Sequence, residues 1–142
     1  MTIEDKIRDI AGEQFSEFTY VFEDWYTADK VLDKVALPAI IFILPVSGVI
    51  QYGEHGRIKD AENCIIAFVD KVDKEADGRD NEITYNAMKA AARRFINAIN
   101  ASGFFDYIQG DVAYNVIYEQ MSSIVTGIAL NLRLKELVGR CE

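Results

Sequence analysis

A single histidine, His55, leaves this chain little material for acid–base or metal chemistry and rules out any multi-histidine metal site. His55 also sits in "YGEHG", a glycine-flanked turn, and a turn tip rarely holds a base in register with a nucleophile. Cysteine is equally scarce. Cys64 and Cys141 lie far apart with no CxxC spacing, so no disulfide framework is legible, which points to a reducing compartment. Cys64 falls in an apolar strand pattern, where cysteine packs as a small hydrophobe. Cationic residues are outnumbered, 15 Lys and Arg against 23 Asp and Glu, for a formal net charge of -8 at pH 7. That balance argues against a general nucleic-acid binder and against a protein drawn to an anionic membrane. No GxGxxG, Walker A or GxSxG motif occurs. The opening "MTIEDKIRDI" is acidic and amphipathic, without the basic and apolar regions of a signal peptide.

Long hydrophobic runs are missing too. The greasiest stretch is "ALPAIIFILPVSGVI", residues 36–50, and its apolar part carries both prolines of the chain. It covers about eleven residues where a membrane-spanning helix needs roughly twenty, so no span is expected. Ile40, Ile41, Phe42 and Ile43 favour a buried strand, and Pro38 suits its first residue. Pro45 has no N–H for a ladder, so the strand is expected to bulge there or move to the sheet's edge, then continue through residues 46–51.

The remaining pattern is that of one domain over residues 1–142. A chain of this size can bury roughly 70% of its unfolded surface without metal or disulfide. Thr2 and Asp5 make a capping-box-like T-x-x-D before Ile3, Ile7, Ile10 and Ala11, and Gly12 is placed to stop that helix. Phe18, Tyr20 and Phe22 alternate as a strand does, and "DWYTADKVLDKV" is an ambiguous connector. Two strands joined by "YGEHG" form a long projecting hairpin arm over about 39–70. A central helix over about 81–101, capped by Asp80 or Asn81, buries Met88, Ala91, Ala92, Phe95 and Ile99. A C-terminal hairpin over about 112–137 alternates Tyr114, Val116 and Tyr118, then Ile128, Leu130, Leu132 and Leu134. Gly48 and Gly127 inside strand patterns mark bulges or close backbone approaches. The fold class is α+β: an antiparallel sheet with a long projecting hairpin, packed by the N-terminal helix and the central helix.

Two features imitate binding sites. Asp73, Glu75, Asp77 and Gly78 fall at positions one, three, five and six of a calcium loop, but Thr84 stands where the bidentate Glu belongs. An acidic solvated loop leading into the helix is the simpler reading, and no metal ligand is assigned. The aromatic group around Trp25 and Tyr26 lacks the interleaved basic residues of a single-strand platform, so both become candidate anchors for a protein partner.

In element order, and in the stretches "VFEDWYTADKVLDKVALPAI", "IIAFVDK", "NAMKAAARRFINAI" and "FDYIQGD", the chain resembles the tail-terminator or tail-completion proteins of tailed double-stranded DNA phages. The resemblance spans nearly the whole chain and rests on pattern and order. It implies a small α+β subunit repeated in a ring, commonly a hexamer or a multiple of one. Such a ring caps the tail tube or joins it to the head connector, and DNA passes through its lumen without sequence-specific binding. It implies no catalytic residue, cofactor or metal, no membrane, and a place in the virion after assembly in the host cytoplasm.

The residues fit on two counts. A proline-bulged edge with a projecting hairpin is a liability unless a neighbour covers it, and closed rings use such heterologous contacts. The expected interface residues are Trp25, Tyr26, Pro45, Val46, Val49, Tyr52, His55 and Arg57. Asp73, Glu75, Asp77 and Asp80 would face the lumen or a partner, where carboxylates let DNA slide. Two rivals are a ligand-binding or enzymatic domain with a pocket between the 88–99 helix stripe and the sheet, and an acidic adaptor or inhibitor of a basic protein.

Overall fold

The computed structural model describes residues 2–73, 75–120, 124–136 and 140–141. Helix α1 (Ile3–Gln14) starts in the capping box its sequence spells. Thr2 Oγ1 accepts from the Asp5 N–H at 3.0 Å, and the Asp5 carboxylate accepts from the Thr2 N–H at 2.9 Å. Gly12 does not end it. The helix runs two residues further to Gln14, and its cap residue Phe15 is driven into the core, its ring 5.0 Å from that of Phe95. Burying Phe15 is worth about 2 kcal/mol, more than the roughly 1 kcal/mol a mid-helix glycine costs. No atom lies within 4 Å of a Cβ built on Gly12. Gly12→Ala is therefore expected to stabilise the fold by about 0.5–1 kcal/mol, read as a raised denaturant midpoint with unchanged slope.

The chain continues as β1 (Thr19–Glu23), α2 (Trp25–Leu32) and β2 (Ala39–Tyr52). The ambiguous connector is thus a helix, capped by Asp24, whose carboxylate accepts from the Thr27 N–H at 2.7 Å. It carries the chain back, so β1 pairs parallel to β2, with Thr19 opposite Ala39 and Glu23 opposite Ile43. The sheet is mixed, where a purely antiparallel one is expected from the alternation. Residues 24–38 exceed the dozen or so that a parallel crossover requires.

Strand β3 (Arg57–Lys71) returns antiparallel to β2 through a 3-10 turn, Glu54–Gly56, where His55 and Gly56 take left-handed φ of 61° and 72°. The arm therefore matches its expected span. Helix α3 (Gly78–Ser102) begins three residues before the expected 81. Its cap is Asp77, in a reciprocal box with Asp80, not Asp80 or Asn81. Asn81 is buried one turn inside, donating to the Asp77 carbonyl at 3.0 Å and accepting from the Thr126 hydroxyl at 2.6 Å. Strands β4 (Tyr114–Gln120) and β5 (Val125–Lys135) form the C-terminal hairpin, and β6 (Arg140–Cys141) pairs with β3 at Arg57 and Ile58. Residues 121–123, between β4 and β5 in the sequence, and residue 137, the hairpin's expected end, lie outside the described residues.

The sheet order is β1-β2-β3-β5-β4, with β6 beside β3. Helices α1 and α3 cover one face, closing a core that includes Phe42, Ile66, Phe68, Phe95, Ile128 and Leu130. The short α2 covers part of the other face, over Ile41, Ile43, Val69 and Ala129. Because both faces are covered at its centre, residues 125–130 of β5 are all buried, whereas 131 and 133 emerge where α2 no longer reaches. The fold is α+β, with the N-terminal and central helices on one face as the sequence implies.

Candidate interaction site

β1 ends opposite Ile43, and β2 goes on for nine more residues, 44–52. At the same point the β2–β3 register breaks between Ile43↔Ile65 and Ser47↔Asn63, so Leu44, Pro45 and Val46 together face only Cys64. Pro45 has no N–H to offer a ladder, which is the physical reason for a bulge at that point. Past it, β2 has β3 on one side and, among the described residues, no strand on the other. This free edge is mostly apolar and carries no charge from Leu44 to Tyr52. Val46, Ile50 and Tyr52 are 93%, 60% and 77% exposed. Edge strands in soluble proteins are commonly guarded by charge, so an unguarded one is a template for another strand.

Beside the bulge, on the α2 face, Trp25 walls a hollow of about 540 Å³ floored by Ile43 and Ile65 and rimmed by Ser47, Asn63, Asn131 and Arg133. A second hollow of about 380 Å³ shares Trp25, Ile65 and Asn131 and extends over Ile117 and Ala129. The two make one groove across the strands. No acidic side chain lines either, in a chain of net charge -8. Asn63 holds the rim by donating from Nδ2 to Ser47 Oγ at 3.0 Å. At the far end of the arm, Tyr52, His55, Arg57 and Lys59 border a third hollow of about 660 Å³.

The expected interface residues thus divide between two places joined by one edge. Trp25 and Val46 line the groove, Pro45 sits in the bulge, Val49 lies midway, and Tyr52, His55 and Arg57 form the tip. Tyr26 does not line the groove; it is exposed, with the Lys30 ammonium 4.2 Å from its ring centre. The acidic residues are elsewhere again. β3 runs from Arg57 at the tip to Lys71, so Asp73, Glu75, Asp77 and Asp80 follow its opposite end. Asp77 and Asp80 cap α3, and Asp73 Oδ1 accepts from the Glu75 N–H at 3.1 Å. The calcium-like spacing resolves into a helix start, and among the described residues no three His, Cys, Asp or Glu side chains converge as a metal site.

The expected helix–sheet pocket is filled instead. The Phe95 ring packs, inclined, 5.0 Å from that of Phe15 and 5.5 Å from that of Phe68, with Met88 and Ile99 buried alongside. The open space is on the other face, where Trp25 and Val46 are joined by Ile43, Ile65 and Asn131, which read in the sequence as ordinary strand positions. Its trace in the sequence is the polar phase of the strands: Asn63, Asn115, Asn131 and Arg133 alternate with inward residues.

Titration behaviour reflects burial more than chemistry. Burial pushes the Cys64 thiol up to about 12, with Glu62 and Asp60 adding to the shift, so it is not a thiolate nucleophile near neutrality. Glu62 is itself raised by burial, then by Asp60 and Glu136. The Tyr20 phenol is raised by burial and by its 2.7 Å hydrogen bond to Glu4. Asp24, the cap of α2, is held below the usual carboxylate range by the Thr27 N–H.

Neither protein-family models nor curated protein sequences match the chain. No helix among the described residues is long and apolar enough to cross a membrane.

Proposed function

We propose that the protein is a non-enzymatic structural subunit that closes into a ring, a head–tail joining or tail-terminator-like component of a tailed phage particle. The observation that carries this reading is the free β2 edge over residues 44–52, uncharged and apolar. Its backbone donors and acceptors are satisfied by water in a lone subunit, and a neighbouring copy satisfies them while removing the exposed Val46 and Ile50 from solvent. In this reading the neighbour makes a heterologous contact along that edge, and heterologous contacts whose rotation closes form a ring. The resemblance to tail-terminator proteins supplies the setting: a ring, hexameric or a multiple of that, seated against connector or tail proteins, with DNA crossing its lumen. The acidic loop after β3 fits such a lumen, since carboxylates repel phosphate and leave DNA free to move.

Light scattering on a size-exclusion column, with electron micrographs of the peak fraction, tests the reading. Rings with a mass several times the 16.0 kDa of one chain are expected. A monomer at every accessible concentration, with no annular particles, would sink it.

A further inference from the structure

Arg133 is the only charged side chain that lines the Trp25 groove, and among the described residues no carboxylate pairs with it. Lys6, Arg8, Arg94 and Lys135 do have acidic partners, in a chain with an excess of acid. The Arg133 guanidinium thus stands unpaired beside an apolar floor, opposite Asn63 in the β3–β5 register. We infer that the groove binds a short extended segment of another protein, one that sets an aspartate or glutamate on Arg133 and apolar side chains on Trp25, Ile43 and Ile65. This contact is separate from the ring closure proposed above and stands or falls without it.

Charge selects the occupant first. A guanidinium recognises a carboxylate through paired N–H donors, and a groove without acid is where an acidic segment settles on an otherwise acidic molecule. Length selects it next. From Val46 on β2 to Asn115 on β4 the groove crosses β3 and β5, three steps of about 4.8 Å, or roughly 14 Å in all. Four or five residues of extended chain cover that distance at about 3.4 Å each. The amides on the way complete the match. Asn131 lies opposite Ile65 and Asn115 opposite Ala129, and neither side-chain amide bonds to another described residue. Each offers an acceptor and two donors, which suits the main-chain groups of a segment crossing the sheet. A small apolar acid would use Arg133 and the floor and leave these amides to water.

Trp25, the chain's sole tryptophan, lines both hollows, so its emission reports whether the groove is filled. The probe is a pool of acetylated, C-terminally amidated pentapeptides in which leucine, valine, serine and threonine vary around a central aspartate, beside a matching pool built on asparagine. With the full chain, the aspartate pool is expected to shift the emission to the blue at concentrations about tenfold lower than the asparagine pool needs, the usual worth of a charge-assisted pair. Arg133→Gln should bind the two pools alike, and Arg133→Lys should keep part of the preference. Arg94→Gln, which removes the same charge from the helix on the opposite face, should keep all of it. Arg133 and Arg94 are both exposed, and circular dichroism melts check that each variant is folded. Two pools that bind the wild type equally, or not at all, overturn the inference, as does a preference that survives Arg133→Gln. A preference lost equally in Arg94→Gln reduces the effect to bulk charge and overturns it too. Phenylbutyrate binding as tightly as the aspartate pool would assign the groove to a small apolar acid in place of a protein segment.

Discussion

Gly127→Ala is expected to lower the melting temperature by roughly 10 °C, the equivalent of about 3 kcal/mol in a domain of this size. The reason is a clash with backbone, not with a side chain that could swing away. A Cβ on Gly127 would lie 1.9 Å from the Phe68 carbonyl oxygen and 2.9 Å from the Val69 Cα. Gly127 is opposite Val69 on β3 and Ile117 on β4, so β5 is held from both sides and cannot shift without breaking one ladder. Its neighbours Thr126 and Ile128 are fully buried, which removes the option of bulging outward. The glycines form a graded series. Gly12→Ala gains stability, and Gly48→Ala, whose Cβ would meet the Ala61 carbonyl oxygen at 2.7 Å on the exposed arm, loses a lesser amount. Only Gly127→Ala strikes the centre of the sheet. A chemical denaturation curve for Gly127→Ala within about 1 kcal/mol of wild type would refute this account of the β3–β5 packing.

That glycine was legible as a close approach because nothing else explains a residue of low strand propensity between Val125 and Ile128. The bulge at Pro45 was legible for a similar reason: proline's missing N–H is a local fact that no tertiary context repairs. The long arm and the Met88–Phe95–Ile99 stripe followed from periodicity, which the burial of those residues reproduces. What stayed hidden was relational. Alternation in β1 reads the same whether its partner runs parallel or antiparallel, and only the length of the 24–38 connector held the answer. The start of α3 was masked by Gly78, a poor helix former in the first turn, so the cap Asp77 read as loop. The groove was invisible because it is an absence of cover: α2 is only eight residues long, and sheet positions beyond its reach look in sequence like any solvent-facing phase. One buried charge could have been read. Glu136 continues the inward phase of Ile128, Leu130, Leu132 and Leu134, and an acid in that phase needs a partner.

The partner is Lys6, and removing either one is expected to cost about 3 kcal/mol. Lys6 Nζ lies 3.0 Å from Glu136 Oε2, with the two side chains 14% and 3% exposed. Glu136 also accepts from the Asp60 N–H at 3.2 Å through Oε1, and its own N–H donates to the Asp60 carbonyl at 3.0 Å. The Lys6 ammonium stands 5.7 Å from the centre of the Phe105 ring, which shields it further. Glu136→Leu would strand a largely desolvated ammonium, and Lys6→Met would strand a carboxylate already sharing its surroundings with Asp60 and Glu62. Replacing both removes the need for pairing, since well-packed apolar groups serve about as well as a buried ion pair. The double variant Lys6→Met/Glu136→Leu is therefore expected to be more stable than either single one, within about 1 kcal/mol of wild type. Equal and additive losses in that cycle would show that the two side chains do not act together. The pair also bears on the proposed ring assembly. Asp60 is paired with Ile50 near the tip end of the β2–β3 hairpin, so Glu136 ties the outer part of the hairpin to α1. A hairpin loosened there must be re-ordered when it meets a neighbour in the proposed ring, so each single variant should weaken that assembly under conditions where its core remains folded. The double variant should restore stability more fully than it restores the proposed assembly, because it returns the packing but not the side-chain hydrogen bond from the Asp60 N–H.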